Sequence, residues 1–135
     1  MVKMTATYTG GLRCEVVHEP SGSLIRTDAP KDNMGKGELF SPTDMVGAAL
    51  ATCILTTLGI VAQRNGIRFE SARAEVEKEM TPVPTRKIAS LRVTVRLPPG
   101  LSPEHRRKLE AAGHHCPVHK SLHPDVAVSL QFIYE

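Results

Sequence analysis

The stretch from Ser41 to Gly66, SPTDMVGAALATCILTTLGIVAQRNG, constrains the fold more than any other part of the chain. Ser41 offers an N-cap hydroxyl, Pro42 suits a first helical position, and Asp44 places an acid in the first turn. From Met45 onward the residues are apolar or small until Gln63-Arg64-Asn65-Gly66 stops the helix. Its length approaches what a bilayer requires, but it carries three Thr, two Gly and four Ala, and no second span accompanies it, so no membrane role is expected. A helix with few polar residues must be covered on nearly every side, and one small sheet covers one side. Gly47, Ala48, Ala49 and Ala51 allow backbones to approach closely, so an intertwined homodimer is expected.

A chain of 135 residues fits a single domain, 1–135, and at this size it buries roughly two-thirds of its unfolded surface. Neither a metal nor a disulfide is then needed to hold it together. The net charge of +3 comes from scattered Lys and Arg, which does not favour nucleic acid as a partner. The start, MVKMTATYTGG, lacks the apolar run of a secretory signal, so a cytosolic location is expected. There the three cysteines begin as thiols, and an odd count with no C-x-x-C argues against a structural disulfide framework.

Gly10-Gly11 reads as a two-residue hairpin turn between strands at Lys3–Thr9 and Leu12–His18, and Pro20-Ser21-Gly22 as a turn into Ser23–Asp28. Ala29–Phe40 is a loop leading to the long helix. Extended chain is expected over Ile67–Met80 and again over Lys87–Leu97, where Ala89, Leu91, Val93, Val95 and Leu97 alternate with polar residues. A second helix starts at Ser102-Pro103-Glu104 and ends near Ala112 with Gly113 as its C′ residue, and Val126–Tyr134 forms a last strand. This order predicts an α+β domain built on one largely antiparallel sheet.

The candidate chemistry lies in the cysteines. Cys116 precedes Pro117, so a short helix over Pro117–Leu122 has Cys116 as its N-cap, where free N–H groups and the helix dipole favour a thiolate. Sulfur that merely caps a helix is the alternative. A third reading is metal binding by His115, Cys116 and His119 with His114 or His123, although no distant C-x-x-C completes a familiar zinc pattern. Cys53 shares a helical stripe with Val46, Ala49 or Leu50, Thr57 and Ile60 and on its own looks like core packing. A reactive Cys53 needs a cation brought to it, for which Arg13, Arg26 and Lys36 are available. Cys14 alternates with Leu12 and Val16 and reads as a buried or partly buried strand residue.

Two segments together carry a resemblance. SPTDMVGAALATC, from Ser41 to Cys53, resembles the helix opening of the OsmC/Ohr family, and CPVHKSL, from Cys116, resembles that family's second cysteine segment. The resemblance covers essentially the whole chain. It implies antiparallel sheets wrapped around a long central helix in an intertwined homodimer, and reduction of organic hydroperoxides without a bound cofactor or metal. Carried over, Cys53 is the peroxidatic thiolate and Cys116 the resolving thiol, with a dithiol such as a dihydrolipoyl group as reductant. The resemblance also implies an arginine near the reactive thiolate, oriented by a glutamate that directly follows the helix-opening proline. Here that position is Thr43, with Asp44 beside it. Arg13, one place after a Gly-Gly-Leu turn, and Arg26 are the candidate arginines, and Glu38 is the candidate acid to orient one of them. A different class of function on the same fold is a dimeric protein that binds a hydrophobic ligand near Cys53 without peroxidase turnover.

Overall fold

The computed structural model describes every residue from Met1 to Glu135. The chain divides into two compact units, Met1–Val46 and Gly47–Glu135. The N-terminal unit holds three strands, β1 (Met4–Gly10), β2 (Arg13–His18) and β3 (Ser23–Asp28), in an antiparallel meander of order β1-β2-β3. Gly10 pairs with Arg13, so Gly11 and Leu12 occupy the turn centre, one place later than the Gly-Gly pair predicts. Both have positive φ, +62° and +63°, which suits the right-handed twist of a hairpin but is costly for leucine. The shift makes Arg13 the first residue of β2. The loop after β3 folds back tightly: Asp28 N–H donates to Phe40 O, and Gly37 N–H donates to Ala29 O.

The long helix α1 (Pro42–Arg64) begins in this unit, where Ser41 and Asp44 form a reciprocal cap. Asp44 N–H donates to Ser41 Oγ at 3.0 Å and Ser41 N–H donates to the Asp44 carboxylate at 2.9 Å. Two orphan donors at the helix start are thereby satisfied.

The C-terminal unit holds the rest of α1 and strands β4 (Arg73–Met80), β5 (Ile88–Leu97) and β6 (Ala127–Tyr134). Helices α2 (Pro103–Gly113) and α3 (Pro117–Ser121) separate β5 from β6. The sheet order is β4-β5-β6, with β4 antiparallel and β6 parallel to β5. The chain therefore carries two three-stranded sheets where the alternation predicts one largely antiparallel sheet. Alternation tells which face of a strand is buried but not its partner's direction, and the α2–α3 crossover is what permits parallel pairing.

Leu91, Val93, Val95 and Leu97 of β5 point inward and are fully or nearly fully buried. Against them lies one stripe of α1: Gly47, Leu50, Ala51, Ile54, Leu58 and Ala62. A Cβ at Gly47 would stand 3.5 Å from Leu91 and 3.7 Å from Val76, so the helix crosses the sheet over β4 and β5. The opposite stripe, Ala49, Thr52, Thr56 and Ile60, is left exposed by this chain. With a mean hydropathy of 2.1, α1 meets the length and composition of a membrane span, and 33% of that window is buried.

Gly113 is the last residue of α2, and His114 at φ −81° is the C-cap, so glycine is not serving a left-handed C′ position as the sequence predicts. Its role is spatial. A Cβ there would come within 2.9 Å of the Phe132 ring on β6.

Candidate active site

Cys53 lies midway along α1 but outside the buried stripe, and it is half-buried rather than part of the core. The core-packing reading of Cys53 is thus corrected: the helix turns Leu50 and Ile54 to the sheet and leaves Cys53 on its flank. Beside it runs a groove of about 460 Å³, formed on α1 by Ala49, Thr52, Cys53, Thr56, Thr57 and Ile60 and closed by Pro117 and Val118 of α3. No charged side chain lines it. Thr52 turns its hydroxyl to its own helix, donating to Ala48 O at 2.9 Å, which leaves its methyl group as the less polar part.

Cys116 is the N-cap of α3, with Pro117 at the first helical position, as the Cys-Pro pair predicts. Its Sγ accepts His119 N–H at 3.3 Å. It is also fully buried. Burial pushes the Cys116 thiol above its usual range, outweighing the His119 and Val118 N–H groups that pull the other way. The neighbouring Cys53 side chain raises it further. The expectation of a low-pKa Cys116 is therefore corrected, because desolvation of a buried thiolate exceeds what one turn of helix supplies.

The N-terminal unit contains the other candidates. The Arg13 guanidinium meets Glu38 Oε1 at 2.6 Å and Asp28 Oδ2 at 3.4 Å. Asp28, whose side chain is wholly buried, also accepts Glu38 N–H at 3.0 Å, tying the acid and the arginine to the end of β3. Asp28 was not among the residues the sequence singles out; its position directly before the Ala29-Pro30 loop was the available signal. Arg26 pairs instead with Glu15, opposite it on β2, at 2.8 Å on an exposed surface. Cross-strand pairs of that kind contribute at most about 1 kcal/mol. The Asp44 carboxylate serves the α1 cap. Cys14 sits in β2 between Tyr8 and Thr27 and, like Cys53 and Cys116, is a free thiol.

The histidines around Cys116 do not converge: the His114 ring tilts against Phe132 with centroids 6.2 Å apart, and His123 Nδ1 accepts Asp125 N–H at 3.0 Å. No three His, Cys, Asp or Glu side chains are grouped so as to hold a metal ion. The chemistry the C-terminal unit offers is that of two thiols, one bordering an apolar groove and one buried at the N-cap of the helix that bounds it.

The sequence profile of the OsmC-like protein family matches residues 35–131, which include both Cys53 and Cys116. A protein of Psychrobacter arcticus 273-4, named for osmotic stress induction and a detoxification response, has a crystal structure that superposes with a TM-score of 0.91 at 37% identity. That match covers 98% of this chain and 96% of the other. The organic hydroperoxide resistance protein OhrB of Bacillus subtilis shares the fold, with a TM-score of 0.72 at 22% identity over 98% of this chain and 97% of its own. The uncharacterised YmaD of Bacillus subtilis is 37% identical over 68 residues, 50% of this chain and 45% of that protein's length. The chain spans less than half of that curated relative. With the family profile matched across most of its length and the fold reproduced throughout, the chain belongs to the OsmC-like protein family.

Proposed function

We propose that this protein is a cytosolic, thiol-dependent reductase of organic hydroperoxides that works as a homodimer of one OsmC-like domain per chain, with Cys53 peroxidatic and Cys116 resolving. The observation that carries the reading is the half-buried Cys53 thiol on an apolar groove whose other wall, Pro117 and Val118, directly follows the buried Cys116. Kinship with a family that includes organic hydroperoxide resistance proteins supports it. The Cys53 thiolate attacks an oxygen of the hydroperoxide, the O–O bond breaks, and the alkoxide leaves and takes a proton from solvent to become an alcohol. Cys53 is then a sulfenic acid. Cys116 attacks that sulfur, the S–O bond breaks, and the hydroxide leaves as water with the Cys116 proton. A dithiol of the dihydrolipoyl type reduces the disulfide by two exchanges, the first at Cys53, the sulfur bordering the groove. Arg13 is the cation that the family resemblance assigns to the reaction; Glu38 and Asp28 hold it as an oriented group, whereas Arg26 is engaged by Glu15.

The division of burial suits this order of events. An apolar groove admits an alkyl hydroperoxide, and a sealed second thiol meets oxidised Cys53 before it meets peroxide. Turnover of cumene hydroperoxide with dihydrolipoamide is the test: sustained consumption is expected, lost in Cys53→Ser. Saturable uptake of a hydrophobic ligand with no consumption would instead make this a binding protein on the same fold.

A further inference from the structure

A cavity of about 760 Å³, larger than the groove beside Cys53 and sharing no residue with it, opens between the chain entering β4 and the chain leaving β5. The register brings these two connections together: Arg73 pairs with Arg96, so residues 66–71 and 98–105 lie at one end of the β4–β5 pair. β6 starts opposite Ser90, so α3, a wall of the Cys53 groove, feeds the other end of the sheet. β5 and β6 are parallel and α2 lies in their crossover, which puts the cavity past the carboxyl end of β5, where parallel units hold ligands.

Ile67, which is buried, and Leu101 give this cavity an apolar side, and Arg68, Ser71 and His105 bring donors. The start of α2 is closed by its own cap, since Ser102 Oγ accepts His105 N–H at 3.1 Å, so the donors left to a ligand are side chains. Arg68 carries the charge: its guanidinium makes no hydrogen bond or salt bridge in this chain, and neither does the His105 ring. Glu70, the one acid of the lining, is turned back on the backbone, accepting Phe69 N–H at 3.1 Å. We propose that this cavity is a second ligand site, for a small organic carboxylate with an apolar body. The carboxylate takes the Arg68 fork, whose planar N–H groups match its two oxygens, and the body lies on Ile67 and Leu101. Inorganic phosphate, with its second negative charge, is disfavoured by Glu70. The volume lies in the range of small-molecule sites. The site is independent of the thiol chemistry and does not rest on the peroxidase reading.

The test titrates the full reduced chain at neutral pH with hexanoate, hexanol, acetate and inorganic phosphate, following backbone amide shifts by NMR. Saturable shifts at residues 66–71 and 98–105 are expected with hexanoate. Hexanol has the body without the charge and acetate the charge without the body, so both are expected to bind more weakly, as is phosphate. Arg68→Gln is expected to weaken hexanoate roughly tenfold or more, the worth of a hydrogen bond to a charged group. Arg107→Gln, at an exposed cation of α2 outside the lining, should change it by less than about twofold. Thermal melts confirm that both variants fold, and Cys53→Ser should bind hexanoate as the parent chain does. Amides that do not saturate, an affinity that survives Arg68→Gln, hexanol or phosphate binding as tightly as hexanoate, or shifts confined to the Cys53 groove would each overturn the proposal. None of these outcomes bears on hydroperoxide turnover, which tests the peroxidase reading by itself.

Discussion

At Cys116 two local forces oppose each other, and the packing decides between them. The cap donates N–H groups to sulfur and favours a thiolate, while full burial disfavours it, and burial prevails. In the reaction we propose, Cys116 resolves oxidised Cys53, so Cys116→Ser treated with excess cumene hydroperoxide should accumulate sulfinic and sulfonic acid at Cys53, read by peptide mass spectrometry. Arg13→Ala is expected to slow the first turnover roughly tenfold or more, the scale of losing one oriented donor, whereas Arg26→Ala should stay within about twofold; stopped-flow thiol consumption measures both. The cap at Cys116 was legible in the Cys-Pro pair because it is a local feature. Its burial was not, because it depends on chain far away in sequence. Glu38 could be nominated as a partner for an arginine, yet only the fold distinguishes Arg13 from Arg26 and brings in Asp28.

Among the elements, α1 is the one the sequence describes best at its ends and least well around its circumference. Its reciprocal cap is spelled by Ser41-Pro42-Thr43-Asp44, and Ser41→Ala should lower unfolding stability by about 1 kcal/mol in urea titrations. Which stripe meets the sheet could not be read, since small and apolar residues occupy all sides; the structure selects Leu50, Ile54 and Leu58 and frees Cys53. At Gly113, too, tertiary packing decides what local pattern could not. A glycine near a helix end reads as a C′ residue, but here the Phe132 ring excludes a side chain. Gly113→Ala is thus expected to cost about 1–3 kcal/mol, and Phe132→Leu in the same chain to recover part of it. The β5 alternation identified the inward face correctly and said nothing of parallel pairing with β6.

For the molecule as a whole, what is left uncovered matters as much as what is packed. Every residue of β1 is exposed, Tyr8, Leu24 and Ile25 are open on the first sheet, and the Ala49, Thr52, Thr56 and Ile60 stripe of α1 is open as well. The homodimer we propose covers this apolar surface. It should sediment at twice the chain mass across a dilution series, and a monomer would remove it. The central claim, that Cys53 and Cys116 are a redox pair, is tested most directly by adding one equivalent of cumene hydroperoxide to the reduced protein. Thiol titration and intact mass should then show the loss of two thiols and two hydrogens per chain, with peptide mapping joining Cys53 to Cys116 and leaving Cys14 free. An unchanged thiol count, or a disulfide that involves Cys14, would contradict it.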